Sequence, residues 1–291
     1  MSLAERSARP RGADFGPTAT GRRAAAVPAG SRARLLRLEA RLAGWLLPAL
    51  LVIAWEVLAR LGYIAPNVLP APSAVALAGW QALKSGELLH HMAVSTARAF
   101  AGLAVGGLIG LVFGIANGLS GVSRRYTDTT LQMVRNVPHL ALIPLVILWF
   151  GIDEEAKLFL VALGVFFPIY INTLHGVRTV DPQLIEMGRV YGMGPLTLFR
   201  KVILPGALPS IFVGLRFALG IMWLTLIVAE TIAASSGLGY MAMQAREFLL
   251  VDVVVLAILI YALLGKLADV LTAGLEHLCL QWHPAFHTPK S

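Results

Sequence analysis

The sequence predicts an all-α integral membrane protein with six membrane-spanning helices. Three observations carry that prediction. The 291-residue chain is 57% hydrophobic and only 14% charged, against roughly a quarter charged in soluble domains, and its mean hydropathy is +0.73. Six segments hold about 20 predominantly apolar residues each, enough to cross a hydrocarbon core roughly 30 Å thick. Lys and Arg are shared unevenly among the connections between those segments. Nine of the 24 basic residues lie within the first 41 positions, ahead of the apolar chain. The net charge of +8 therefore reads as a membrane-orienting flank, not a nucleic-acid surface.

Residues 1–34, rich in Arg, Ala, Gly and Pro, cannot bury enough apolar surface to offset chain entropy and are expected to be a disordered basic extension. They do not read as a secretory signal, because the basic stretch is long and no small-residue cleavage site follows the apolar segment. Over 32–43, Leu35, Leu38 and Leu42 recur at helical spacing among arginines, which suits a short helix at the lipid headgroups. The spans are placed at 44–63, 97–119, 131–151, 157–177, 207–232 and 249–273. The longest connection, 64–96, carries an LPAPS turn and an amphipathic helix around 73–92. With the N-terminus inside, sixteen Lys and Arg fall on the cytoplasmic side and three (Lys84, Lys157, Arg246) outside. This bias places both termini in the cytoplasm.

The second span repeats glycine every four residues, at Gly102, Gly106, Gly110, Gly114 and Gly118. Such a row bares one helical face for close approach of another helix, favoured here within one subunit, with a dimer face as the alternative. Pro138, Pro144 and Pro168 interrupt spans and are read as kinks, with hinges the alternative. Glu56 and Arg60, and Lys266 and Asp269, are spaced as intrahelical ion pairs. No catalytic cluster, cofactor motif or metal-ligand spacing is present. Gly265-Lys266 lacks the glycine-rich lead of a phosphate-binding loop, and the lone Cys279 forms no internal disulfide. The chain reads as a transport subunit, not an enzyme. A secondary transporter, the reading from another class, would need inverted repeats and carboxylate relays within spans.

The 178–206 loop, RTVDPQLIEMGRVYGMGPLTLFRKVILPG, is the most informative stretch. Asp181-Pro182 suits a helix start, and two short helices, 183–191 and 196–203, flank a Gly192-Met193-Gly194-Pro195 turn. The spacing of Glu186, Gly192, Leu204 and Pro205 resembles the EAA loop of ABC importer permeases. Met187 and Gly188 replace its two alanines, and Val202 replaces its isoleucine. The runs 135–177, 204–231 and 245–270 resemble permeases of bacterial aliphatic sulfonate importers, within a wider family that also moves taurine, nitrate and bicarbonate. That resemblance covers about 44–287 and implies a type I ABC importer permease fold. It divides the chain into the 1–34 extension, a first span and periplasmic connection (35–90), a five-helix core (91–276) and a cytoplasmic tail (277–291). It further implies a homodimer in the bacterial inner membrane, two cytoplasmic ATPase subunits docked on Glu186, Gly192, Leu204 and Pro205, and a periplasmic solute-binding protein. The cargo would be an anionic organic sulfonate, carried by alternating access.

A sulfonate needs donors or positive charge for its headgroup and apolar walls for its tail. Ionisable residues within spans are costly and are therefore candidates for that path. Arg135, Asn136 and His139 on the third span and Arg216 on the fifth are the candidates. Arg216 lies about 13 Å from the cytoplasmic end of its helix. The alternatives are that Arg135 reaches back to the lipid headgroups and that Arg216 pairs with a carboxylate to pin two helices.

Overall fold

The computed structural model of the protein describes residues 46–282. The extension 1–34, the headgroup helix expected at 32–43 and most of the tail lie outside those residues. The described residues of a first unit, 46–54, are helical and expose apolar side chains such as Leu46, Leu50 and Ile53. Helix α1 (46–60) ends in the second unit, which begins at Trp55. There Glu56 pairs with Arg60 as its spacing predicts, and the same carboxylate accepts from the Ser73 hydroxyl at 2.8 Å.

Helix α2 (Pro72–Lys84) opens on a proline at its first turn, where a missing N–H costs nothing. Ser85 and Gly86 then turn the chain, Gly86 at φ +80°. The helix expected over 73–92 is thus two helices, and α3 (Glu87–Leu119) begins ten residues ahead of the expected second span. At 1.5 Å per residue its 33 residues are roughly 50 Å long, so it projects beyond the hydrocarbon core.

The glycine row of α3 packs on α6 (Glu154–Arg178) of the same chain. A Cβ at Gly102, Gly110, Gly114 or Gly118 would stand 2.5–2.7 Å from Val161, the Phe166 carbonyl, Thr173 or Val177 respectively. The row is therefore an internal packing surface. Helix α6 also packs along the long helix ending at Ala233, with Gly176 and Gly214 at the closest approaches. The core joins Val161, Val165, Leu219, Met222, Leu226 and Leu256.

The third expected span is corrected. The 119–131 region, expected to be a loop, is helical as α4 (Gly121–Arg135). The chain then breaks at Asn136–Pro138, makes one 3-10 turn (His139–Leu142) and resumes as α5 (Ile143–Phe150), bent by 80°. Pro138 explains the break, since a residue before proline avoids the helical region and proline has no N–H to donate. Pro144 lies in the first turn of α5 and starts a helix there. Pro168 stays inside α6.

Beyond α6 come α7 (Pro182–Val190), α8 (Pro195–Leu198), a π turn (Phe199–Ile203) and α9 (Leu204–Ala233). The chain closes with α10 (Leu238–Glu247) and α11 (Val251–Cys279). Among the described residues four helical runs are long and apolar enough to cross a membrane: α3, α6, Pro195–Ile232 and α11. The bent α4–α5 pair makes five if it is one span.

Candidate functional site

The 178–206 hairpin is built by local signals. The Asp181 carboxylate caps α7 by accepting from the Gln183 N–H at 2.8 Å, with Pro182 in the first turn. Gly192, at φ +73°, ends α7 in the left-handed region, where glycine carries no Cβ penalty. The following Met193 N–H returns to the Gly188 carbonyl at 3.0 Å. Gly188 faces the second arm so closely that a Cβ there would stand 2.6 Å from Leu198. Pro205 does not interrupt the second arm. It cannot donate to the Lys201 carbonyl, and the π turn just before it widens the helix to absorb that loss. Val177, Val180, Leu198, Ile203 and Ala207 seat the hairpin on the ends of α6 and α9. Its open face carries Glu186 and Arg189 among exposed Leu184, Met187, Val190 and Tyr191.

Arg135 and His139 come together at a cavity of about 360 Å³. Its walls are the broken 134–142 segment, α6 from Leu163 to Asn172, and Phe217 and Ile221 of α9. His139 is half-buried, with Nε2 3.0 Å from the Thr225 hydroxyl. Asn136 closes α4 through its backbone N–H and is exposed outside the cavity lining. Arg216 does not join this cavity. It lies on a neighbouring face of α9, in a groove of about 450 Å³ against α11, and its guanidinium meets the Glu276 carboxylate at 2.6 Å. The paired-carboxylate reading of Arg216 therefore has its partner; Arg135 and His139 share one site, Arg216 lines another and Asn136 lines neither.

A third polar cluster lies outside the sequence expectations. The Glu230 side chain on α9 is fully buried. It accepts from the Ser95 hydroxyl (2.7 Å), Arg98 Nη1 (2.8 Å), the Gly239 N–H (2.9 Å) and the Tyr261 hydroxyl (2.7 Å). Arg98 also grips Glu154 with two nitrogens. The same Glu154 accepts from buried Lys157 at 3.1 Å. Two cations face two carboxylates, so the burial is matched charge for charge. Gly237 and Gly239 wrap the Glu230 carboxylate so closely that neither has room for a side chain. This knot ties α3, α6, α9, α10 and α11 together at the end of the bundle opposite the hairpin, since α6 and α9 each run from one to the other. A signal was present: Arg98 and Glu230 are ionisable residues within apolar runs. Both lie near the ends of the expected spans 97–119 and 207–232, where a charge is least costly.

Residues 106–278 match the model for binding-protein-dependent transport system inner membrane components. The chain belongs to this family. The permease is 60% identical over 251 residues, 86% of its own length, to the aliphatic sulfonates transport permease protein SsuC of Escherichia coli strain K12, covering 95% of that protein. Against SsuC of Bacillus subtilis strain 168 it is 46% identical, covering 84% of this chain and 88% of that one. Against the taurine transport system permease protein TauC of E. coli the identity is 38%, covering 81% and 87%. An amino acid ABC transporter of known structure shares the fold, with a TM-score of 0.54 at 18% identity over 70% of this chain and 97% of that one. The permease is thus an integral membrane ABC transporter subunit and not an enzyme.

Proposed function

We propose that this permease forms the membrane path of an importer for aliphatic sulfonates in the bacterial inner membrane. The observation that carries the reading is 60% identity along 95% of the E. coli sulfonate permease, against 38% to the taurine permease. Two copies pair, two cytoplasmic ATPase chains dock on the 178–206 hairpins, and a periplasmic solute-binding protein delivers the anion. Glu186 contacts the ATPase, Gly192 shapes the turn, and Leu204-Pro205 carries the movement into α9. In support, the hairpin's open face mixes charge with more apolar surface than a solvated loop needs. Six spans follow if the 44–63 segment and the bent α4–α5 pair each cross once beside the four long helical runs. The Lys and Arg bias then keeps both termini inside.

The cargo path uses the cavity bearing Arg135 and His139, with Asn136 at its edge, while Arg216, its charge met by Glu276, lies apart on the neighbouring face of α9. A positive group in a mostly apolar cavity meets both halves of an alkanesulfonate, and alternating access opens that cavity to each side in turn. Reconstitution of the permease with its ATPase and solute-binding protein in vesicles tests the reading. Ethanesulfonate should accumulate in an ATP-dependent manner and stimulate hydrolysis. Uptake of taurine or nitrate without any alkanesulfonate would overturn it.

A further inference from the structure

The cavity beside His139 is lined by a guanidinium, an imidazole and no carboxylate. Of its lining residues, Arg135 and His139 supply the positive and donor groups, while Leu163, Phe167, Phe217 and Ile221 supply apolar wall. No Asp or Glu lines it. Asn172, the remaining polar residue of the lining, already donates its amide to the Pro168 carbonyl at 2.8 Å. An anionic headgroup is therefore provided for, and a positively charged tail is not. The headgroup must be desolvated in either case, but a hydrocarbon tail sheds only weakly held water on entering. An aminosulfonate such as taurine must strip its ammonium of water with no carboxylate to replace it, which is the costly case.

Gly164 keeps open the space beside His139. A Cβ there would stand 3.0 Å from the Thr225 hydroxyl, 3.1 Å from Ile221 and 3.3 Å from His139 Nε2, so a side chain would crowd the headgroup position. The cavity volume, about 360 Å³, is near the lower limit of small-molecule sites at roughly 300–1,000 Å³.

We propose that the permease itself selects cargo, and does not leave selection to the solute-binding protein: the cavity takes sulfonates with short uncharged tails and rejects zwitterionic aminosulfonates. Phe167, Phe217 and Ile221 read the tail, and Gly164 keeps the space beside His139 open. This rests on the sulfonate-importer reading. Each methylene buried against those walls is worth roughly fourfold in affinity.

The test measures direct binding to the purified permease–ATPase complex without solute-binding protein, by competition against radiolabelled butanesulfonate. Affinity should rise about fourfold per carbon from ethane- to butanesulfonate, and taurine should compete at least tenfold more weakly than propanesulfonate. Phe217 is 63% exposed, so its replacement leaves the core packing intact. Phe217→Ala should flatten the chain-length slope, and Phe217→Glu should gain taurine binding while losing butanesulfonate at least tenfold. Taurine binding the wild-type complex as tightly as propanesulfonate would overturn the proposal. So would a slope unchanged in both Phe217→Ala and Ile221→Ala. If the complete importer carries sulfonates but the purified complex shows no slope, selection by the cavity fails and the importer reading stands. If no sulfonate is carried at all, the importer reading fails first.

Discussion

At the scale of single residues, the costliest groups in the molecule are its buried charges, and each has a partner that explains its survival. Glu230 and Glu154 together hold Arg98 inside the knot, so Glu230→Ala would take away the buried one of its two carboxylates and leave the Gly239 N–H without its acceptor. Removing one member of such a pair costs about 3–5 kcal/mol. The variant should melt far lower in detergent, and adding Arg98→Met should return part of the loss. Wild-type melting of Glu230→Ala would show that the knot contributes nothing to stability. Arg216 is a milder case, because its side chain remains 43% exposed beside Glu276. Arg216→Gln and Glu276→Gln should each lower stability, with a coupling in the double variant of roughly 0.5–3 kcal/mol. If Arg216→Gln instead melts normally and loses sulfonate-stimulated hydrolysis, Arg216 serves the cargo and not the helix pair.

At the scale of elements, α3 and α6 meet through missing side chains, and a hairpin joins α6 to α9. The α3–α6 contact depends on the glycine row, and at Gly110 the nearest obstruction is backbone, the Phe166 carbonyl at 2.7 Å. Backbone cannot rotate away as a side chain does, so overpacking there must separate the helices. Gly110→Leu should lower both the yield and the melting temperature of the permease, while Gly121→Ala, whose Cβ meets nothing within 4 Å, should leave both unchanged. Equal behaviour of the two variants would remove the packing role. The hairpin's Glu186 is exposed, so Glu186→Lys should spare folding. It should cut ATPase stimulation and uptake by more than tenfold, read in the reconstituted complex; full uptake would exclude Glu186 from the docking face. The broken third span shows what a hydropathy window misses. Residues 131–151 are apolar enough for one helix, yet Pro138 splits them, and the polar segment before the break coils as α4.

For the molecule as a whole, the sequence by itself determined the class, most of the long spans, the hairpin with its caps and turn, and the face of α3 that packs. Each of these is local or periodic: composition sets the solvent, a repeat of four marks a helical face, and Asp181-Pro182 and Gly192 place a start and a stop. It also supplied the family resemblance, which the match over 106–278 bears out. Only the tertiary structure decided what the charges do. Glu230 and Arg98 are 132 positions apart, Arg216 and Glu276 lie on different helices, and His139 finds Thr225 86 positions away. Nothing in a one-dimensional pattern links such residues, because their pairing depends on how α3, α6, α9 and α11 are rotated about their own axes. For α3, α6 and α9 that rotation follows the close approaches made at their glycines. The buried charges then settle wherever a partner can replace the water they lost.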